Sequence, residues 1–461
     1  MASDSQFSSL NLKPALLSNL SDLGYNTMTP IQAAALPAIL EGADVLGKAK
    51  TGSGKTATFG LGLLQRLEVE RFRVQALVLC PTRELADQVA AELRKLARSI
   101  HNIKILTLCG GAAFGPQVGS LEHGAHIIVG TPGRVHDHLR KGNLQLGDLQ
   151  TLVLDEADRM LDMGFAETLD AILDLAPKQR QTLLFSATYP EAIESMAKRV
   201  QHNPRVIEVE AVHSDHDIEQ MFYKVPLENR TQVLGLLLQK YLPESCMVFC
   251  NTKRETQGVA DALLQQGFSA VALHGDMVQK DRDRTLVLFA NQSASVMVAT
   301  DVAARGLDIA EVDLVVNYQL SRDPEVHVHR IGRTGRAGKR GRAVSMLNED
   351  EKFKVELICA DSDAKPELKN PPVNRLQTPQ KAEFVTLEIE GGKKQKVRPG
   401  DIVGALTGDG GLSVKTLGKI HCFPFHSFVA VKRSHAREAL EKIQTGKIKG
   451  RSFRARLVKI R

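Results

Sequence analysis

The chain has 461 residues, 25% charged and 43% hydrophobic, with a formal net charge of +7. That composition excludes a wholly disordered chain, and no apolar run approaches the roughly 18 residues of a membrane span, so no membrane partner is expected. Six cysteines, at 80, 109, 246, 250, 359 and 422, form no Cys-x-x-Cys pair, which argues against zinc ribbons and disulfide frameworks and for reduced thiols in a cytoplasmic protein.

The first twenty residues lack a basic start and a long apolar block, so they do not read as a secretory signal. Strand-like apolar runs then follow at 44–49, 74–80, 126–130, 151–155 and 182–186, separated by helix-length amphipathic stretches. A second series occupies 246–250, 270–275, 295–300, 313–318 and 342–347. Strands apolar on both faces and alternating with helices predict parallel sheets. Two series predict an α/β protein of two lobes, 1–211 and 212–365. The polar stretch 208–222 reads as a hinge. Four prolines in 361–382 mark a linker, set at 366–381.

The net charge is uneven. Residues 376–461 hold 18 Lys+Arg and 7 Asp+Glu, a balance of +11 that leaves the rest at −4. A basic appendage on a near-neutral body suggests a polyanion-binding domain, 382–461. Strand candidates at 383–390, 418–423, 426–431 and 453–460, with helices around Asp401–Leu406 and Ser434–Leu440, give the β-α-β-β-α-β order of an RRM-like α+β domain. Its aromatic fingerprint is degenerate, with His426 where an aromatic is expected, so the charged segments are the expected binders.

Polar residues stand repeatedly at the ends of the predicted strands, where open α/β sheets bind ligands. Ala49 to Thr56 reads AKTGSGKT. Its glycines let backbone N–H groups converge on phosphate oxygens, Lys55 can reach the β- and γ-phosphates, and the Thr56 hydroxyl can ligate Mg²⁺. Asp155, after an apolar strand, can hold Mg²⁺ through water, and Glu156 can orient or deprotonate an attacking water. In His329–Arg336, HRIGRTGR, the cations recur every third residue. Placed on a helix start, they would share a face and could clamp charge on a transferred phosphoryl group or bind a nucleic-acid backbone. Asp308 is a candidate partner for a ribose hydroxyl.

Taken in order, AKTGSGKT, PTRELA, Gly110-Gly111, TPGR, Asp155-Glu156-Ala157-Asp158, Ser186-Ala187-Thr188, ATDVAARGLD and HRIGRTGR resemble the DEAD-box RNA helicases. The resemblance implies two RecA-like lobes using ATP and Mg²⁺. It implies nucleotide contacts from Phe7, Gln32, Thr51, Gly52, Ser53, Gly54, Lys55, Thr56 and Asp308, with Phe7 stacking on adenine and Gln32 reading its edge. Lys55, Asp155, Glu156, Arg333 and Arg336 would be catalytic, and Ser186 and Thr188 would couple hydrolysis to RNA. RNA would lie over Arg83, Gly111, Thr131 and Arg134 in lobe one and over Gln279, Arg282, Thr300 and Arg305 in lobe two. With the basic domain, the chain resembles the bacterial DbpA subfamily. That implies recruitment to a hairpin of 23S ribosomal RNA, action on pre-50S particles, and a monomeric enzyme. A general RNA chaperone with a non-specific tail and an ATP-gated RNA clamp stay open as alternatives.

Overall fold

The computed structural model describes residues 5–49, 52–189, 191–209, 218–304, 311–321, 323–335, 340–360, 367–373, 378–379, 381–408 and 410–460. Lobe one carries β1 (Val45–Lys48), β2 (Ala76–Leu79), β3 (Ile105–Leu108), β4 (Ile127–Gly130), β5 (Thr151–Asp155), β6 (Gln181–Ser186) and β7 (Arg205–Glu208). They form one parallel sheet in the order β3-β4-β2-β5-β6-β1-β7. Side chains alternate across it. Val78, Val129 and Val153 enter the core on one face, and Leu77, Ile128 and Leu152 enter the core on the other. Helices cover both faces, which is why these strands are apolar throughout.

The second compact unit contains lobe two and the C-terminal domain. Lobe two has β8 (Ile218–Lys224), β9 (Cys246–Cys250), β10 (Ala270–Leu273), β11 (Val296–Thr300), β12 (Leu314–Asn317), β13 (Gly341–Leu347) and β14 (Leu368–Lys369). The sheet is again parallel, ordered β10-β11-β9-β12-β13-β8-β14. Two expectations need correction. The segment read as a hinge, 208–222, runs into β8, where Met221, Phe222 and Tyr223 are buried. Its polar start, Ile218-Glu219-Gln220, hid a strand that is apolar only in its second half. The segment read as a linker contributes β14, paired with Phe222 and Tyr223 of β8.

The C-terminal domain comprises β15 (Phe384–Ile389), β16 (Leu417–Cys422), β17 (Ser427–Lys432) and β18 (Ala455–Leu457), with helices Pro399–Thr407 and Ala436–Thr445. Its antiparallel sheet is ordered β16-β17-β15-β18. Leu387, Ile389, Val429 and Val431 pack on Ile402, Leu406, Ala439 and Ile443 of the two helices. The architecture is thus two parallel-sheet lobes and an RRM-like α+β domain. Among the described residues, no helix is long and apolar enough to cross a membrane.

Candidate functional site

In lobe one the strand order divides the candidate residues into two groups. Loops after β1, β5 and β6, three adjacent strands, carry the phosphate loop, Asp155-Glu156 and Ser186/Thr188. Loops after β3, β4 and β2, the other adjacent trio, carry Gly111, Thr131 and Arg134, and Arg83.

The phosphate loop turns on glycine. Gly52 and Gly54 have φ of 86° and 98°, a left-handed conformation natural to glycine. A Cβ on Gly54 would lie 2.7 Å from Gln32 Nε2 and 2.9 Å from Thr29 Oγ1. The helix Lys55–Arg66 starts immediately after it, so its N-terminal N–H groups face the loop. Lys55 is buried and donates from Nζ to the Ala49 carbonyl at 2.8 Å. That bond folds the ammonium back into the loop where phosphates would sit.

Gln32 belongs to the helix Pro30–Glu41. Its Oε1 accepts from the Thr29 N–H at 2.8 Å, and its Nε2 donates to the Gly54 carbonyl at 3.3 Å. The amide therefore ties the upstream segment to the phosphate loop and keeps one N–H and one lone pair for a base edge. Phe7 departs from expectation. It is 4% exposed and packs within the hydrophobic cluster of lobe one, so its ring has no free face on which adenine could stack. Thr51 lies outside the described residues.

Asp155 ends β5 and is wholly buried; burial pushes its carboxyl up to about 6, with the Lys55 ammonium opposing that rise. Its Oδ1 has no hydrogen-bond partner. Among the described residues, no three His, Cys, Asp or Glu side chains form a metal cage. An orphaned carboxylate beside a phosphate loop fits Mg²⁺, which binds through one or two carboxylates and substrate phosphates rather than a protein cage. Glu156 follows with φ 53° and ψ 52°, a conformation disfavoured by about 1–2 kcal/mol for a residue with a Cβ. Arg159, one helical turn on, pairs with Glu156 at 3.1 Å.

Asp158 joins this loop to the next. Its Oδ2 accepts from the Thr188 N–H at 3.1 Å and from the Thr188 hydroxyl at 2.9 Å, while Ser186 Oγ donates to the Thr188 carbonyl at 2.6 Å. Any displacement of the β5 loop is thus felt at the β6 loop.

In the other group, Thr131 immediately precedes the helix Pro132–Arg140 and Arg83 begins the helix Arg83–Leu96. Gly111 has φ 76°. Arg134 is held by the Ala112 carbonyl at 2.9 Å and Gln117 Oε1 at 2.8 Å. Helix N-termini, an arginine and a glycine turn at three adjacent strand ends make a surface suited to a phosphate backbone.

In lobe two, Gln279 begins the helix Gln279–Ala290 after β10, and Arg282 follows one turn later. Thr300 ends the neighbouring β11. Arg305, Asp308 and Arg336 lie outside the described residues. The arginine motif does not open a helix, as expected; it closes one. His329, Arg330 and Ile331 end the helix Pro324–Ile331, and Arg333 follows in a turn. Arg330 and Arg333 therefore do not share one helical face.

Arg330 is a buried junction. It takes both Asp301 oxygens at 2.6 and 2.7 Å, Asn251 Oδ1 at 2.9 Å, the Gln319 carbonyl at 2.6 Å and Asn317 Oδ1 at 3.3 Å. It fastens the ends of β9, β11 and β12. Sequence reasoning missed this role, as it missed Arg159 and the Asp158–Thr188 link. The i,i+3 spacing of Glu156 and Arg159 was the one available signal.

Residues 29–196 match the DEAD/DEAH box helicase family, 228–338 the helicase conserved C-terminal domain, and 386–457 the DbpA RNA binding domain. The chain is 57% identical to the ATP-dependent RNA helicase DbpA of Escherichia coli K12, covering 98% of this chain and 99% of that one. It is 37% identical to the Bacillus subtilis 168 protein of the same name, covering 98% of each. Among solved structures it is similar to Saccharomyces cerevisiae Dbp5 bound to RNA and ADP BeF3, with a TM-score of 0.72, 31% identity, and coverage of 79% and 96%.

Proposed function

The chain belongs to the DbpA group of DEAD-box ATP-dependent RNA helicases, and from that premise we propose that its C-terminal domain directs it to a hairpin of 23S ribosomal RNA. There it would act on pre-50S particles in assembly of the large ribosomal subunit, as a cytoplasmic monomer. The observation that carries the proposal is the match of residues 386–457 to the DbpA RNA binding domain, within the segment that holds the chain's excess positive charge. The functional boundaries assigned are 1–211, 212–365 and 382–461, with 366–381 between them.

Lys55 and the loop Gly52–Thr56 take the phosphates of ATP, and Gln32 takes the adenine edge. Thr56 and, through water, Asp155 would hold Mg²⁺, which when bound neutralises phosphate charge. Glu156 accepts a proton from the attacking water, a role that general-base catalysis rewards by about 10²–10⁴-fold. Arg333 and Arg336 are assigned to charge developing on the transferred phosphoryl group. Asp158, Ser186 and Thr188 transmit the change to Arg83, Gly111, Thr131 and Arg134, which grip phosphates and 2′-hydroxyls without reading sequence. Asp308 is assigned to the ribose and Gln279, Arg282, Thr300 and Arg305 to RNA.

The test is ATPase activity against an RNA panel, with and without residues 376–461. Ribosomal RNA should stimulate far more than unrelated RNA of equal length, and deletion should erase the difference. Equal stimulation by all RNAs would remove the targeting claim and leave a non-specific tail with steep salt dependence.

A further inference from the structure

The turn between β16 and β17 reads Phe423-Pro424-Phe425-His426. It is closed by the Phe423 N–H, which donates to the His426 carbonyl at 2.8 Å. The rings of Phe423 and His426 stack at 5.0 Å with 13° between their planes. Both stand edge-on to Phe428, with centroids 5.7 and 5.1 Å away. Three rings thus brace the base of the turn. Phe425 joins none of these contacts and is 64% exposed, more than any other Phe or Tyr among the described residues.

A second loop of the domain holds the turn from behind. Gly392 approaches so closely that a Cβ there would lie 2.2 Å from the Phe423 carbonyl oxygen and 2.8 Å from the Phe425 nitrogen. The next two N–H groups, of Lys393 and Lys394, donate to the Phe423 and Pro424 carbonyls, each at 2.8 Å. Lys393 also lines a cavity of about 370 Å³, together with Lys396, Val397, Arg398 and Lys449. All four cations are exposed, and among the described residues none has a carboxylate partner. Lys396 and Lys449 hold left-handed backbones, with φ of 62° and 52°, a strain that gathers at ligand sites.

A single exposed ring is ordinary, and a lysine cluster alone takes any polyanion. Held side by side by two backbone hydrogen bonds, they match the two parts of a nucleotide: a phosphate for the cations and a flat base for the ring. A base inside a duplex has no free face, so the match is to an unpaired nucleotide of a loop, bulge or end. Phe428, on the sheet, is 2% exposed and offers no such face. The turn also lies toward the RNA-assigned helix start of lobe two, where Lys280, beside Gln279, and Asp283 act electrostatically on His426.

We propose that Phe425 is the stacking platform for an unpaired RNA base, with a phosphate of that RNA held in the adjoining pocket of Lys393, Lys396, Arg398 and Lys449. This rests on the reading that the C-terminal domain recognises RNA and names the residue that takes a base there.

The chain has no tryptophan, so Phe425→Trp in the full chain gives one indole whose fluorescence a stacked base quenches. Phe353→Trp, at a 52% exposed ring on the lobe-two helix Lys352–Ile358, is the comparison. Each is titrated, without nucleotide, with a large-subunit ribosomal RNA transcript and an unrelated transcript of equal length. Quenching should saturate with binding for Phe425→Trp and stay near zero for Phe353→Trp. Phe425→Ala should lose at least about fivefold in affinity for the ribosomal transcript, with Phe425→Tyr within twofold of wild type. The slope of log affinity against log salt should be unchanged by Phe425→Ala, which removes no cation, and shallower by about one for Lys449→Ala. An unquenched indole, or full affinity in Phe425→Ala, overturns the proposal and favours a protein partner for the ring. Equal quenching at both positions overturns it in favour of non-specific coating by RNA. If wild type does not prefer the ribosomal transcript, the targeting reading fails, while the quench still decides the stack on whichever RNA is bound.

Discussion

Arg159 Nη1 lies 3.1 Å from Glu156 Oε2, with the two side chains 3% and 4% exposed. The carboxylate assigned to water activation is therefore held by a cation as deeply buried as itself. Removing one member of such a pair typically costs about 3–5 kcal/mol, because the other is left charged and unpaired. Arg159→Ala should lower the melting temperature of the chain by several degrees, and calorimetry checks it. An unchanged melting temperature would mean the pair is not formed in solution.

Glu156→Gln keeps the shape of the side chain and removes the base. RNA-stimulated ATP hydrolysis should drop by about 10² or more, with ATP affinity kept within a few-fold. If this variant also supports ribosome assembly in cells, the clamp reading gains over the helicase one.

Gly54→Ala places a methyl 2.7 Å from Gln32 Nε2 and forces φ 98° on a residue with a Cβ. Both the strain and the displaced Gln32 act on the phosphate loop. ATP affinity, read with a fluorescent analogue, should fall at least about tenfold, on the order of 1.4 kcal/mol. Wild-type affinity would show that the loop tolerates the change.

Arg330→Lys is conservative in charge alone. One ammonium cannot replace a planar fork that reaches Asp301, Asn251, Asn317 and Gln319 together. The variant should destabilise lobe two by about 2–4 kcal/mol, as buried charged networks do when partners are lost, and denaturant unfolding reads it. A change under about 0.5 kcal/mol would argue that the junction is dispensable.

His327 is buried beside Gln220 and Asn317, and burial, then the Arg330 cation, lowers its imidazole to about 4. The unfolded chain binds this proton near pH 6.5 and the folded one only near 4. Stability should therefore be full above about pH 6.5 and fall as pH drops toward 4, by up to about 1.4 kcal/mol per unit from this site. His327→Gln should flatten that part of the pH profile. An identical slope in the variant would assign the acid sensitivity elsewhere.

The strands central to each sheet were legible because helices on both faces make them continuously apolar: Ala76–Leu79 and Cys246–Cys250 could be little else. Edge strands were not. β3 is partly exposed at Leu106 and Thr107 and β7 is exposed at Arg205, Val206 and Glu208, and β8, one strand in from the edge, carries Glu219 and Gln220 in its first half, so none shows the full signal. The candidate nucleotide residues were legible from type and order. Their supports were not, since Arg159, Arg330 and the Asp158–Thr188 link depend on which loops the strand order places side by side. Phe7 illustrates the opposite case: its residue type suggested stacking, while in the structure it is buried within the hydrophobic cluster of lobe one.

β1 has no neighbour close in sequence. It pairs with β6 and β7, at Gln181–Ser186 and Arg205–Glu208, so its partners are synthesised well over a hundred residues later. Loop-closure cost and delay both grow with such separation. During translation the phosphate loop therefore emerges early but gains its scaffold only once residues near 208 have left the ribosome. A nascent chain stalled before that point should not retain ATP, and the onset of retention along a series of stalled lengths would mark the moment lobe one closes on itself.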